Sequence, residues 1–288
     1  MAGGGGKEAT LRTFAGAVAL VTGGASGIGA GLGRELGRRG ALVVLADRDG
    51  EDARKGAGRI AAAGGRAEGA TLDVRDASAV DALVTDVFAR HGRLDYLFNN
   101  AGIAVGGEAR ELALEDWRDA VEVNLMGVVH GVQAAWPRMI GQGFGHLVNT
   151  ASMAAFMATA LAAPYGATKS ATVGLSRALR VEGAALGVRV SVLCPGVVRT
   201  PILESGGRHG RFRAFLDPEL QKALWERTRP MDADAFARKS LDDVARNRAV
   251  IVYPAWWRVL RFLNGVAPSL MDALGRRELE KIRALRGR

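Results

Sequence analysis

Between residues 17 and 195, short apolar runs alternate with longer stretches of helical periodicity. Candidate strands lie at 17–22, 41–46, 66–72, 94–99, 146–150 and 188–194, and several are apolar almost without interruption, as strands covered on both faces must be. The segments between them, among them 27–39, 77–91 and 115–140, carry apolar residues at helical spacing. Such alternation implies right-handed crossovers. It predicts an α/β fold, a Rossmann-type doubly wound parallel sheet of about seven strands with helices on both faces.

After Pro201 the pattern loosens. Gly206, Gly207, Gly210, Pro218 and Pro230 interrupt a charged and aromatic stretch. A helix is expected over 232–247, a last strand over 249–253, and amphipathic helix over 256–286, broken by Pro268. The chain therefore divides into a leader (1–13), a Rossmann-fold domain (14–255) and a C-terminal helical extension (256–288). No repeat of fixed period occurs.

Composition narrows the class. A length of 288 residues suits one α/β domain, and 48% hydrophobic against 24% charged residues can bury a full core. No apolar run reaches the roughly 18 to 20 residues needed to span a bilayer. The first ten residues are Gly-rich with Lys7 and Glu8 and lack the apolar stretch of a secretion signal, so they read as a disordered leader. The single cysteine, Cys194, excludes an internal disulfide, points to a reducing cytoplasm and, inside an apolar strand, reads as a buried inert thiol. The net charge of +9 could draw nucleic acid, but the arginines are interleaved with acids rather than gathered with aromatics, and no nucleic-acid partner is expected.

Candidate chemistry begins at the first strand–helix junction, Thr22-Gly23-Gly24-Ala25-Ser26-Gly27-Ile28-Gly29. Glycines there allow a tight turn and let a pyrophosphate approach a helix N-terminus, where free N–H groups and the dipole favour negative charge. Eighteen residues after Gly29, Asp47 ends the second strand. A carboxylate there can accept hydrogen bonds from adenosine ribose hydroxyls and would repel a 2′-phosphate, which favours NAD. NADP stays open, because Arg48 could support that phosphate. Asp73-Val74 and Asn99-Asn100-Ala101-Gly102 follow the third and fourth strands, at the edge where open α/β sheets bind ligands.

Tyr165 and Lys169, at i and i+4, share a helix face. A phenol is a poor base at neutral pH, and a nearby ammonium together with an oxidised nicotinamide would favour the phenolate. Ser152, after the fifth strand, could hydrogen-bond a substrate oxygen, and Asn124 could hold a water linking the lysine to solvent. Four histidines without ligand spacing give no metal site.

These stretches, with Pro195-Gly196-Val197-Val198-Arg199-Thr200, fall in one order over roughly residues 14 to 202, and the chain resembles the short-chain dehydrogenase/reductase family in its shorter form. The resemblance implies an NAD(P)-dependent oxidoreductase that moves a hydride between nicotinamide and a secondary alcohol or ketone. It implies Tyr165 as general acid/base, Ser152 as orienter of the substrate oxygen, Lys169 on the nicotinamide ribose and Asn124 as anchor of a relay water. It also sets Asp73 near the adenine, Asn99 and Gly102 along the cofactor, and Val198 and Thr200 at the carboxamide. Residues 201–230 take the position of the substrate loop. There Leu203, Phe212, Phe215, Leu216, Leu220, Leu224 and Trp225 could cover an apolar substrate. Arg208, His209, Arg211 and Arg213 could instead receive an anionic group, although a solvated loop is the favoured reading.

The family's usual Val-Asp-Gly-Gly-like end is replaced by Val250-Ile251-Val252-Tyr253-Pro254, Trp256, Trp257 and a basic-apolar tail. Packing of that tail on the active-site mouth or a subunit interface is favoured over peripheral membrane contact. A homodimer or homotetramer is expected through the helices around 115–140 and 164–186. Other readings are a non-catalytic dinucleotide-binding regulator, a 3-oxoacyl-type reductase acting on an anionic thioester, and a lyase or epimerase, for whose substrate domain the chain has no room.

Overall fold

A computed structural model of the chain describes residues 10–206, 209–213 and 218–286. Its strands are β1 (Val18–Thr22), β2 (Leu42–Asp47), β3 (Arg66–Thr71), β4 (Tyr96–Asn99), β5 (Val105–Gly106), β6 (Gly145–Thr150), β7 (Val188–Pro195), β8 (Arg211–Phe212) and β9 (Val250–Tyr253). The helices are α1 (Gly27–Arg38), α2 (Gly50–Ala62), α3 (Ala77–His91), α4 (Leu114–Val121), α5 (Gly127–Gln142), α6 (Ala163–Gly183), α7 (Ile202–Ser205), α8 (Pro218–Arg227), α9 (Ala233–Ala245), α10 (Trp257–Val266) and α11 (Pro268–Arg286). Seven strands form one parallel sheet in the order β3-β2-β1-β4-β6-β7-β9, and β5 and β8 pair separately. The expected doubly wound Rossmann-type sheet is present.

β1, β4 and β6 are buried at every residue, covered on both faces, which accounts for the apolar runs of β1 and β4. On one face Leu32 and Leu36 of α1 and Phe236 and Leu241 of α9 pack against the sheet. On the other, Val80 and Val84 of α3, Val128 and Val132 of α5 and Leu179 of α6 do so. The chain winds outward from β1 through β2 to β3, then starts β4 on the opposite side of β1. Connections diverge at that reversal and leave a crevice at the carboxyl ends of β1 and β4, the place where such sheets take ligands.

Two expectations change. The leader stops short of residue 13: Arg12 N donates to Asp95 Oδ1 (3.1 Å), Arg93 Nη2 to Thr10 O (2.8 Å) and Tyr96 Oη to Arg12 O (2.9 Å). Asp95, fully buried, also accepts from Val18 N at 2.9 Å and so ties this segment to the start of β1. Residues 1–9, like Arg208, Phe215 and Leu216 of the loop, lie outside the described residues. The single helix expected over 115–140 is instead α4, a π-helical turn at Glu122–Met126, and α5. The wider turn breaks the helical ladder where Asn124 reaches across to the backbone of Ile103, a placement a regular helix would not give.

On β6, His146 is fully buried, with Nε2 2.9 Å from Ser191 Oγ. Ser191 Oγ gives its own proton to Arg248 O (2.7 Å), so the imidazole donates through Nε2. Burial, helped by Arg189 and Arg180, pushes its pKa from 6.5 down to about 3. The unfolded chain therefore binds the proton first as pH falls, and stability present above pH 6.5 is lost below it. Between pH 8 and pH 5 this residue is expected to remove about 2 kcal/mol of unfolding free energy. Denaturant melts at both pH values should show that loss in the native protein and a much smaller one in His146→Gln.

Candidate active site

The glycine turn is shaped by contacts no side chain could share. Gly23 and Gly27 have φ of +65° and +51°, in the left-handed region. A Cβ on Gly23 would stand 2.8 Å from Ala101 Cα, and one on Gly29 would overlap Gly23 O. Gly29 therefore lets α1 close onto the turn and is not itself on the cavity wall. Gly23, Ser26, Gly27 and Ile28 do line a cavity of about 640 Å³ at the carboxyl edge of the sheet. Ser26 precedes α1 in extended conformation without a side-chain cap bond, which leaves the first amides of the helix open to a ligand. A shallow turn, uncapped helix amides and no Cβ in the way fit a pyrophosphate.

Next to the turn, Asp47 accepts from Ala25 N and from Asp49 N, each at 3.0 Å. One bond per oxygen fixes the carboxylate at the cavity and leaves lone pairs for hydroxyl donors. Arg48 lines the same end, and its guanidinium meets His209 Nδ1, while His209 Nε2 lies 3.4 Å from Asp49 Oδ2. The favoured solvated reading holds only in part: Arg213 is exposed and Arg211 half-buried, yet neither is left to solvent alone. Both pair with the fully buried Asp116, and Arg211 also reaches Asp119 at 2.8 Å. They clamp the segment around β8 to α4, because a buried carboxylate needs compensating charge.

Asp73 and Val74 form the wall after β3. Arg75 grips Asp73 through Nη2 (2.6 Å) and its backbone N (3.0 Å) and holds the carboxyl below its ordinary range. Asn100, Ala101 and Gly102 form the wall after β4. Asn100 also joins three strand ends: its N and Nδ2 donate to Thr22 Oγ1 and Thr22 O (each 3.0 Å), and its Oδ1 accepts from Thr150 Oγ1 (3.2 Å). Asn99 does not reach the cavity. It is buried and donates to Asn149 Oδ1 at 2.9 Å, because alternate residues of a strand point to opposite faces. Pro195, Gly196, Val198 and Thr200 complete the wall beyond β7.

Tyr165 on the first turn of α6 and Lys169 one turn later both face the cavity. Tyr165 has Ser152 as the hydroxyl neighbour that favours its ionised form, and Ser152 Oγ accepts from Ala154 N at 3.1 Å. Lys169 is only 3% exposed, donates to Thr150 O at 2.9 Å and stands 5.6 Å from the Tyr165 ring centre. Burial raises the phenol above its ordinary pKa of 10.0 and pushes the ammonium from 10.5 down to about 8. Desolvation thus opposes both charges, and Ser152 is the neighbour that lowers the phenol. Asn124 differs too. Its amide is spent on Ile103 N (2.8 Å), Ile103 O (2.9 Å) and Thr168 Oγ1 (3.3 Å), so it stands behind the cavity wall rather than on it. Cys194 is fully buried, and burial lifts its thiol to about 12, as suits an inert thiol.

The far end of the cavity is closed by the expected Phe212, Trp225 and Trp257 together with residues the sequence did not mark. Met153, Met157, Phe212, Trp225 and Trp257 line it, as do Leu279 and Ile282 of α11. A Cβ on Gly196 would collide with Trp257 Nε1, so the indole lies against that glycine. Arg283 of α11 bonds both oxygens of Glu108 at 2.9 and 3.0 Å. The extension thus packs on the mouth of the site. A signal was available in the i, i+3 spacing of Leu279 and Ile282, but not the surface it would cover.

A family model for the short chain dehydrogenases matches residues 17–209. The putative ketoacyl reductase of Streptomyces coelicolor is 42% identical over 194 residues, which are 67% of this chain and 74% of the relative. The 1-deoxy-11-beta-hydroxypentalenate dehydrogenase of Streptomyces exfoliatus is 41% identical over 189 residues, 65% of this chain and 69% of that one. A solved short-chain dehydrogenase/reductase from Burkholderia phymatum, in complex with NAD, is 30% identical with a TM-score of 0.80, over 90% of this chain and 96% of its own. With the matched region spanning the glycine turn, Ser152, Tyr165 and Lys169, the chain belongs to the short-chain dehydrogenase/reductase family and is a nicotinamide-dependent oxidoreductase acting on hydroxyl or keto groups.

Proposed function

We propose that the enzyme interconverts an apolar secondary alcohol and its ketone with NAD, using Tyr165 as the proton donor and acceptor. One observation carries this reading: Tyr165, Ser152 and Lys169 share a single cavity with the glycine turn, whose far walls are Met153, Met157, Trp225 and Trp257. The bound dinucleotide supplies the hydride carrier; the protein positions the reacting carbon and moves one proton. In reduction, Tyr165 Oη gives its proton to the carbonyl oxygen while Ser152 Oγ–H holds that oxygen in place. In oxidation, Tyr165 Oη takes the hydroxyl proton. Lys169 supplies positive charge behind the phenol, and Asn124 positions Gly102 and Ile103 beside it. A Cβ on Gly102 would lie 3.2 Å from Asn124 Oδ1 and 3.3 Å from Lys169 Nζ, so the glycine leaves space that both need.

A ketoacyl thioester is a second reading, favoured by the name of the Streptomyces coelicolor relative. Against it, Arg211 and Arg213, which would have received an anionic group, are bound to Asp116 and Asp119. A non-catalytic regulator finds no support beside an intact proton-transfer set. Assembly through α5 and α6 is part of the proposal, supported by the half-buried Trp136 and Ile140 and the exposed Val181. A reducing, cytoplasmic setting is supported by the single buried cysteine.

Tyr165→Phe should lower kcat about 10²- to 10⁴-fold while the Kd for NAD, measured by calorimetry, stays within a factor of a few. Near-normal turnover at the nicotinamide absorbance would end the assignment. Because the phenol is raised, its ionised fraction grows with pH across the neutral range while it stays almost wholly protonated, so alcohol oxidation should accelerate there and ketone reduction hold level. Lys169 loses its charge above about 8, and Lys169→Met should shift the oxidative limb of the profile further up. An unmoved limb would show that this ammonium does not act on the phenol. With a panel of apolar alcohols, kcat/KM should favour NAD over NADP by on the order of 10² or more, the repulsion expected between a carboxylate and a 2′-phosphate in contact. Asp47→Ser should remove most of that preference; equal use of both cofactors by the unmodified enzyme would overturn it.

A further inference from the structure

The outer face of the C-terminal extension is apolar and uncovered. Of the ten large apolar side chains exposed among the described residues, six fall within 19 positions: Trp256 (49%), Val259, Phe262 (67%), Val266, Leu270 and Leu274. Val259, Phe262 and Val266 recur at i, i+3 and i+7 along α10 and so form one row. Leu270 and Leu274 continue on α11 at i and i+4, followed at i+7 and i+11 by Arg277 and Lys281. The inner faces of these helices are already used, by Trp257, Leu279 and Ile282 on the cavity and by the buried Met271. Packing on the enzyme therefore does not account for the outward rows, and clustered exposed apolar side chains of this kind mark a contact surface.

Charge identifies the partner. Residues 256–288 hold eight arginines and lysines against three acids, +5 of the chain's net +9. Arg276 and Arg277 are exposed and make no ion pair among the described residues. A second copy docked on the same face would set this excess against itself. An anionic lipid surface complements it, and tryptophan, phenylalanine and leucine bordered by arginine suit the boundary between headgroups and acyl chains. Among the described residues no helix is long and apolar enough to cross a membrane, so the contact is one of helices lying in the surface. We propose that α10 and α11 dock this enzyme on an anionic lipid bilayer through Trp256, Val259, Phe262, Val266, Leu270 and Leu274, with Arg276 and Arg277 on the headgroups.

The test is flotation of the full chain with vesicles of phosphatidylcholine alone and of equimolar phosphatidylcholine and phosphatidylglycerol. The protein should float with the anionic vesicles, largely stay behind with the neutral ones, and be released by salt. Val259→Ser with Phe262→Ser, and separately Arg276→Gln with Arg277→Gln, should each lower the partition coefficient by on the order of tenfold. Both pairs lie outside the cavity lining, and near-ultraviolet circular dichroism reports their folding without reference to turnover, so this result and the catalytic reading stand or fall separately. Acyl-chain bromination should quench tryptophan fluorescence in the native protein and less in Trp256→Phe. Failure to float with anionic vesicles, or flotation undiminished in both double variants, overturns the proposal. So does dissociation of a stable oligomer by Val259→Ser with Phe262→Ser in sedimentation velocity, which would make a second copy the partner.

Discussion

The ammonium of Lys169 is the constraint around which the carboxyl edge is arranged. A cation 3% exposed is costly unless it is compensated, and among the described residues it donates to one carbonyl, Thr150 O, at the end of β6. That bond requires α6 to start where its second turn overhangs the strand end. It requires Gly102 to have no side chain, because a Cβ would crowd both Nζ and Asn124 Oδ1. It also requires the loop after β4 to be held back, which is what the amide of Asn124 does by binding both backbone groups of Ile103. The π-helical turn at Glu122–Met126 is the local departure from regular geometry that brings Asn124 to that position. Burial then keeps the ammonium at about 8 and the phenol high, so the site rests as a neutral phenol beside a cation that is easily deprotonated.

The same burial explains why closure of the cavity matters. A site open to water would solvate both groups and return each toward its ordinary titration. Here Trp257 lies against Gly196, and Leu279 and Ile282 cap the far end, tethered by Arg283 on the buried Glu108. The extension thus takes the part of the wall that the departure from the family's usual strand ending left open. Its two faces do different work, since the inner one dries the cavity and the outer one stays apolar toward the surroundings.

Much of this was legible in the sequence because it is carried by periodicity and by glycine. Apolar runs located strands such as β1, β2 and β7, since strands buried on both faces have little freedom in composition, while the edge strand β3, with Arg66 and Glu68, was read from its place in the alternation. Gly23 and Gly27 were readable because only glycine sits easily at their positive φ, and Tyr165 and Lys169 because one helical turn aligns them. What failed were statements about where side chains point. Asn99 and Asn100 are neighbours of the same type, yet strand alternation sends the first to Asn149 and the second to the crevice.

The charged loop was only partly legible, for a different reason. Arg211 and Arg213 looked solvated because their partner, Asp116, lies about a hundred residues earlier on α4, and no local pattern links the two. A buried carboxylate at the start of a short helix is indistinguishable in sequence from an N-terminal turn residue until the fold brings cations to it. The consequence is functional as well as structural. Two arginines that would have argued for an anionic substrate are consumed in holding the segment around β8 against α4, and Phe212 lines the cavity wall in their place.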